Sequence, residues 1–192
     1  MRVSVSRRDC LAGLLAAITV AAAACGTAGD PASPSNGASA GEQAVRQLLT
    51  VADLAAAGVQ TDGREARVED LRAVAEAVDA EQVREIESWY SLRFELAEFG
   101  TSLTLAVTAY DSAERAKRQL DVVESGPAFE PMTRSVGDRS ASARPSGGAG
   151  AALAFVDGRR LVTLHSIAVG GAEALVAPAQ LEELARLVEE RL

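Results

Sequence analysis

One histidine, His165, and two cysteines, Cys10 and Cys25, bound the chemistry open to this 192-residue chain. A single imidazole excludes a multi-histidine zinc site and leaves room for one histidine base at most. Ser166 or Ser146 with His165 and Asp157 makes a hydrolytic triad on paper, yet no Gly-x-Ser-x-Gly elbow is present to lift a serine above a sheet. Carboxylates are plentiful, but Glu85, Glu87, Glu182, Glu183, Glu189 and Glu190 fall on the polar sides of helical patterns, where solvation accounts for them. Glu95, Glu98 and Asp138, beside a long loop, are the carboxylates a hydrolase would use. The Asp-x-Asp-x-Asp-Gly spacing of a calcium loop is absent, and Gly147-Gly-Ala-Gly150 lacks the strand and helix of a phosphate cradle. No catalytic residue, metal site or cofactor is expected.

The other concentration of interest is aromatic. Trp89, Tyr90, Phe94, Phe99, Tyr110, Phe129 and Phe155 all fall in one central stretch, which places the core there. Trp89, Tyr90, Phe94 and Phe155 are the candidate lining of a pocket for an apolar ligand, with the loop 127–150 as its lid.

The elements that must carry these residues read as an α+β domain over 42–192. Val45, Leu48, Leu49 and Ala52 have helical spacing, and Thr50 can cap a short helix that ends at Gly58. The stretch 65–87 repeats the helical signal through Leu71, Val74, Ala75, Val78, Val83 and Ile86. Asp79-Ala-Glu-Gln82 reads as a capping box that would divide it into two helices. Period-two alternation follows in Leu92, Phe94 and Leu96 and in Leu103, Leu105, Val107 and Ala109, an antiparallel hairpin turning near 98–100. A helix opens at Asp111, with Ala113, Ala116, Leu120 and Val123 inward, and stops at Gly126-Pro127. Past the loop, Asp157-Gly158 signals a type I′ hairpin joining 151–156 to 159–169. In that register paired numbers sum to 315, so Phe155 faces Arg160, and Leu153, Phe155, Val162 and Leu164 share one face opposite His165. A last helix from Ala179 carries Leu181, Leu184, Ala185 and Val188. Two hairpins with helices packed on them, after a helical N-terminal part, make an antiparallel sheet of the α+β class.

The formal net charge is −8. Arg2, Arg7 and Arg8 lie in the first few residues, so the remainder is more acidic still, which speaks against nucleic acid as a partner and against docking on anionic lipid. Lys117 is the sole lysine. Residues 1–24 have the layout of a secretory signal: a basic start, the apolar run from Leu11, and small residues at its end. That run is shorter than the roughly 20 residues of a spanning helix. Residues 25–41 are small, polar and rich in Pro and Gly, a flexible tether.

Ala22-Ala23-Ala24-Cys25 resembles the lipobox of bacterial lipoproteins, with Ala22 where leucine is usual. The resemblance implies cleavage after Ala24, diacylglycerol on the Cys25 sulfur, and an address at the extracytoplasmic face of the cell membrane. An ordinary A-x-A cleavage site fits the same residues and would release a soluble protein. Cys10 leaves with the leader, so no disulfide forms within the processed chain. Ser6-Arg7-Arg8-Asp9-Cys10-Leu11 resembles a twin-arginine signal in which Arg7 and Arg8 are the targeting pair, Cys10 standing for the usual phenylalanine and Ala12 for the usual lysine; the general secretion route stays open. Beyond the tether, Val136-Gly137-Asp138 before a strand pair and an apolar helix resembles small lipoprotein domains of GC-rich Gram-positive bacteria, some similar to the PsbP/Mog1 group. The expected protein is a non-enzymatic, lipid-anchored surface protein that binds an apolar ligand or another envelope protein, the alternative being a carboxylate-dependent envelope hydrolase.

Overall fold

A computed structural model describes residues 39–78, 80–81, 83–98, 100–126, 129–132, 135–143, 150–168 and 176–192. Cys25, Ala24, Arg7 and Arg8 lie outside the described residues, as do Phe99 and Ser146. The first helix, α1 (Ala40–Leu48), begins slightly before the expected tether end. Its start is set by a reciprocal cap: Ser39 Oγ accepts from Glu42 N at 3.2 Å, and Glu42 Oε2 accepts from Ser39 N at 2.8 Å. The same device starts α2 (Val51–Ala56), where Thr50 and Asp53 exchange bonds as the threonine spacing predicts.

The stretch 65–87 departs from its helical reading. Arg67–Asp70 is an edge strand, β1, because Val68 turns inward against Leu92 while Arg67 and Glu69 turn outward. Asp70 Oδ1 then accepts from Ala73 N at 3.0 Å and opens the short helix α3 (Leu71–Val78). Val74 and Val78, expected in the core, are 62% and 84% exposed. No second helix follows among the described residues; turns lead through Val83, which is buried, to Ile86. Asp79 and Gln82 of the expected capping box lie outside the described residues.

β2 (Ile86–Glu95) and β3 (Thr101–Tyr110) form the first hairpin with Leu92 opposite Leu105 and Phe94 opposite Leu103. Helix α4 (Ala113–Glu124) follows, burying Ala116 and Leu120. The expected loop 127–150 holds two further strands, β4 (Phe129–Pro131) and β5 (Arg139–Ala143). Both were hidden for physical reasons: β4 is three residues long with proline on a sheet edge, and β5, Arg-Ser-Ala-Ser-Ala, has no bulky side chains to alternate.

β6 (Gly150–Asp157) and β7 (Arg160–Ala168) form the second hairpin, with its turn one residue later than expected. Asp157 pairs with Arg160 and Phe155 with Val162, so paired numbers sum to 317 rather than 315. Gly158 has φ +53° and no non-glycine residue among those described has positive φ, so the turn is of the II′ kind rather than I′. Parity survives a slip of two, and Leu153, Phe155, Val162 and Leu164 share a face as expected.

β3 pairs with β7, which joins the hairpins into one seven-stranded antiparallel sheet of order β1-β2-β3-β7-β6-β5-β4. The fold is α+β, as read from the sequence. One face, with Leu92, Phe94, Leu103, Leu105, Leu153, Phe155, Val162 and Leu164, is covered by α1, α2 and the last helix, α5 (Pro178–Glu190), through Val45, Leu49, Leu54, Leu181, Leu184 and Val188. Each buried leucine there contributes roughly 1.5–3 kcal/mol. The other face is covered by α4, whose Ala116 and Leu120 pack with Tyr110, Ala154, Val156 and Leu161.

Candidate functional site

The two sheet faces differ in how completely they are closed, and this sorts the candidate residues. On the first face, Phe94 (2% exposed) and Phe155 (0%) are core residues with no room to line a pocket. Tyr90 shares that face, half-buried against the core, with Gly41 of α1 so close that a Cβ there would meet the ring at 2.6 Å. Trp89 is on the opposite face, across from Thr108. The four aromatics are therefore not brought together, because adjacent residues of a strand point to opposite sides.

Among the described residues, the second face is covered by a helix only at one end. Beneath α4 the positions Tyr110, Leu161, Val156 and Ala154 are buried. Moving away from α4 along the strands, Ala106, Thr163, Thr104, His165, Ala152 and Ile167 become half-buried. The ladders set four polar residues in one row across this half: Arg67 of β1 opposite Arg93 of β2, Arg93 opposite Thr104 of β3, Thr104 opposite His165 of β7. Neighbouring strands lie about 4.8 Å apart, so the row from Arg67 to His165 spans roughly 14 Å. Trp89 lies on the same face, toward α4.

The side chains of three of the four, Arg67, Thr104 and His165, make no hydrogen bond or ion pair among the described residues. Arg93 has one, with Glu95 of its own strand, Nε to Oε1 at 2.9 Å. That pair is close but misaligned, since the Arg93 Nε hydrogen is buried without an accepting partner in line. His165 is held neutral near pH 7, its pKa brought down to about 4, first by burial and then by the Arg93 charge. In the unfolded chain the imidazole titrates near its ordinary 6.5. Stability therefore falls as pH drops from about 6.5 to about 4, where the unfolded state takes up a proton that the fold refuses, and levels off below. The group is partly exposed, so a loss of about 1–2 kcal/mol is expected across that window. Urea unfolding at stepped pH checks it, with His165→Gln flattening the curve.

The hydrolytic arrangements do not assemble. His165 and Ser166 are consecutive on β7 and face opposite sides; Ser166 is 1% exposed, its Oγ without a partner among the described residues. Asp157 lies five positions along the ladder from His165, about 17 Å away. Glu95 lies on β2 and Asp138 immediately precedes β5, four strand steps across the sheet, about 19 Å at 4.8 Å per step, whereas paired glycosidase carboxylates sit within about 10 Å. Several carboxylates expected on solvated helix faces are tied down, Glu85 in a turn and Glu87 on β2 rather than on a helix: Glu85 to Arg115, Glu87 to Arg159 at 2.9 Å, Glu182 to Arg186 at 2.6 Å, and Glu189 to the Gly137 amide at 2.9 Å. Among the described residues, no three or more of His, Cys, Asp and Glu gather at metal-ligand range, and no helix is long and apolar enough to cross a membrane. A shallow groove of about 390 Å³ lies between α2 and α5, lined by Ala56, Ala57, Leu184 and Leu187 and rimmed by Glu183 and Glu190. The charged side chains on its wall, half-buried Asp53 and Arg186, are already bound, to Arg191 and to Glu182.

No family model matches the chain, and no curated protein matches it. Among solved structures, it is similar to the extracellular domain of PknH from Mycobacterium tuberculosis at 11% sequence identity, covering 78% of this chain and 94% of that chain, with a TM-score of 0.44. A likeness of that degree conveys nothing about ligand or activity.

Proposed function

We propose that this chain is an exported, non-enzymatic binding protein, anchored at the extracytoplasmic face of the cell membrane through lipid on Cys25, that receives its ligand on the half of the second sheet face that no helix covers among the described residues. The carrying observation is the row Arg67, Arg93, Thr104 and His165, three of them without partners among the described residues, at the end of the face that α4 leaves open. Unpaired polar side chains on a rigid sheet, beside Ala106 and Ile167, give the mixture of fixed hydrogen-bonding capacity and apolar surface that ligand sites use. A wholly apolar ligand would have needed Phe94 and Phe155, which the core consumes. The ligand is therefore a polar molecule or a polar segment of an envelope protein.

The address is supported by the leader, by Ala22-Ala23-Ala24-Cys25 and by the Pro/Gly-rich tether that lets the domain stand off the bilayer. Two acyl chains on one sulfur are enough for stable anchoring, and Arg7 and Arg8 direct export. The test is intact mass and membrane partitioning of the natural chain beside Cys25→Ser in a bacterium that processes lipoproteins. A lipid-sized mass on a chain beginning at Cys25, absent from the serine variant, is expected. An unmodified soluble chain would refute the anchor.

A further inference from the structure

We infer that the group recognised on this face is an oxyanion, a carboxylate or phosphate carried by a small diffusible molecule, held by Arg93 and Arg67 with Thr104 and His165 beside it. This rests on the reading of the open half-face as the ligand surface. Arg67 and Arg93 are direct cross-strand neighbours on one face. Like charges so placed repel, and a sheet that carries such a pair is destabilised unless an anion lies between them. The chain supplies only half of that anion. Glu95 reaches Arg93, but with its oxygen out of line of the Nε hydrogen, and Arg67 has no counter-ion among the described residues. Glu69, two residues along β1 on the same side, does not pair with it within ion-pair range.

A guanidinium presents donors in a planar fork that matches the two oxygens of a carboxylate or phosphate. Thr104, next in the row, offers a hydroxyl donor, and neutral His165 beyond it offers one ring N–H. The Arg93 side chain is 32% exposed, open enough to be reached and buried enough for its charge to be poorly screened. Glu95 on this account is an internal competitor that occupies the arginine when no ligand is bound.

The face carries its own reporters, His165 in the row and Trp89 four residues from Arg93 along β2, because they are the only histidine and the only tryptophan of the chain. The purified chain is titrated with inorganic phosphate, and in a parallel arm with citrate, at constant ionic strength held with chloride, while the His165 ring proton resonances and Trp89 emission are followed. A saturable shift is expected with phosphate or citrate and not with chloride. Arg67→Ala, on an exposed edge strand where folding is not at risk, should weaken it at least tenfold, Arg93→Ala should remove it, and Glu95→Gln should tighten it several-fold. A response that is linear, or unchanged in Arg67→Ala, overturns the inference. So does sedimentation with phosphatidylglycerol vesicles without any response to the free anions. A saturable response of His165 and Trp89 to a neutral solute alone would overturn the anion assignment while leaving the face as the ligand surface, whereas silence of both reporters toward every solute would remove the face itself.

Discussion

Gly137→Ala is expected to lower the unfolding free energy by at least about 3 kcal/mol. Gly137 has φ +64°, a left-handed conformation that penalises any Cβ. Here the penalty is compounded by packing: a Cβ would stand 2.3 Å from the carbonyl oxygen of Val156 and 2.9 Å from Phe155 Cδ2, the backbone of one strand and the ring of a fully buried side chain. Neither can move aside cheaply. Relaxing the clash would pull apart the bonds on either side, Asp138 N to Val156 O at 2.7 Å and Gly137 N to Glu189 Oε1 at 2.9 Å. It would also draw Val136, 0% exposed, out of the core. Gly158→Ala is the matching control, because Gly158 has φ +53° but nothing within 4 Å of where its Cβ would go. Only the local backbone penalty, about 1–2 kcal/mol, applies there. Urea unfolding followed by far-UV circular dichroism measures both. Equal losses in the two variants would mean that the close approach of Gly137 to β6 does not constrain the fold.

That glycine illustrates how unevenly the fold was legible. Val136-Gly137-Asp138 stood out in the sequence as a likeness to other small lipoprotein domains, but nothing in it announced a backbone pressed against Val156, since the contact depends on where a remote strand lies. Local rules carried the hairpin β2–β3, the helix α4 and the stripe of α5, because alternation or helical spacing there coincides with what is buried. They failed where pairing overrode propensity. Val74 and Val78 have honest helical spacing and do form a helix, but it sits at a sheet edge and turns them to solvent. β4 and β5 are strands only because β6 offers an edge to pair with. The candidate site follows the same logic. The outward direction of His165 was readable from hairpin parity, which a two-residue slip of register leaves intact. Its neighbours were not. Thr104 reaches it through the β3–β7 pairing, which joins residues some sixty positions apart, and Arg67 enters the row through β1, which reads as helix. The aromatic cluster Trp89, Tyr90, Phe94 and Phe155 was the more conspicuous signal in the sequence, and the sheet divides it between two faces.

The second large effect is expected at Asp53, where one carboxylate holds both ends of the chain's described part together. Asp53 accepts from Thr50 N at 2.8 Å and so caps α2, and it accepts two bonds from the Arg191 guanidinium, at 2.7 and 2.9 Å. Arg191 in turn donates to the Leu48 carbonyl at 3.2 Å, covering the end of α1. Arg191, at the C-terminal cap of α5, thereby locks that helix to α1 and α2. The Arg191 hydrogen bond, ahead of the opposing effect of burial, holds the Asp53 carboxyl at about 2 rather than its ordinary 3.8. A folded pKa below the unfolded one means the contribution is complete above about pH 4 and is lost as pH falls toward 2, a window separate from that of His165. Asp53→Ala removes cap and bidentate pair together and should cost about 3 kcal/mol near neutral pH, a cap being worth about 1 and a charge-assisted pair about 2. Asp53→Asn keeps an oxygen for the cap and should lose roughly half as much. In a double-mutant cycle with Arg191→Ala, a coupling of 1 kcal/mol or more is expected, since the two groups share both bonds. A coupling near zero, or acid unfolding of Asp53→Asn that still steepens between pH 4 and 2, would place the stability of this junction in its leucines rather than in the pair.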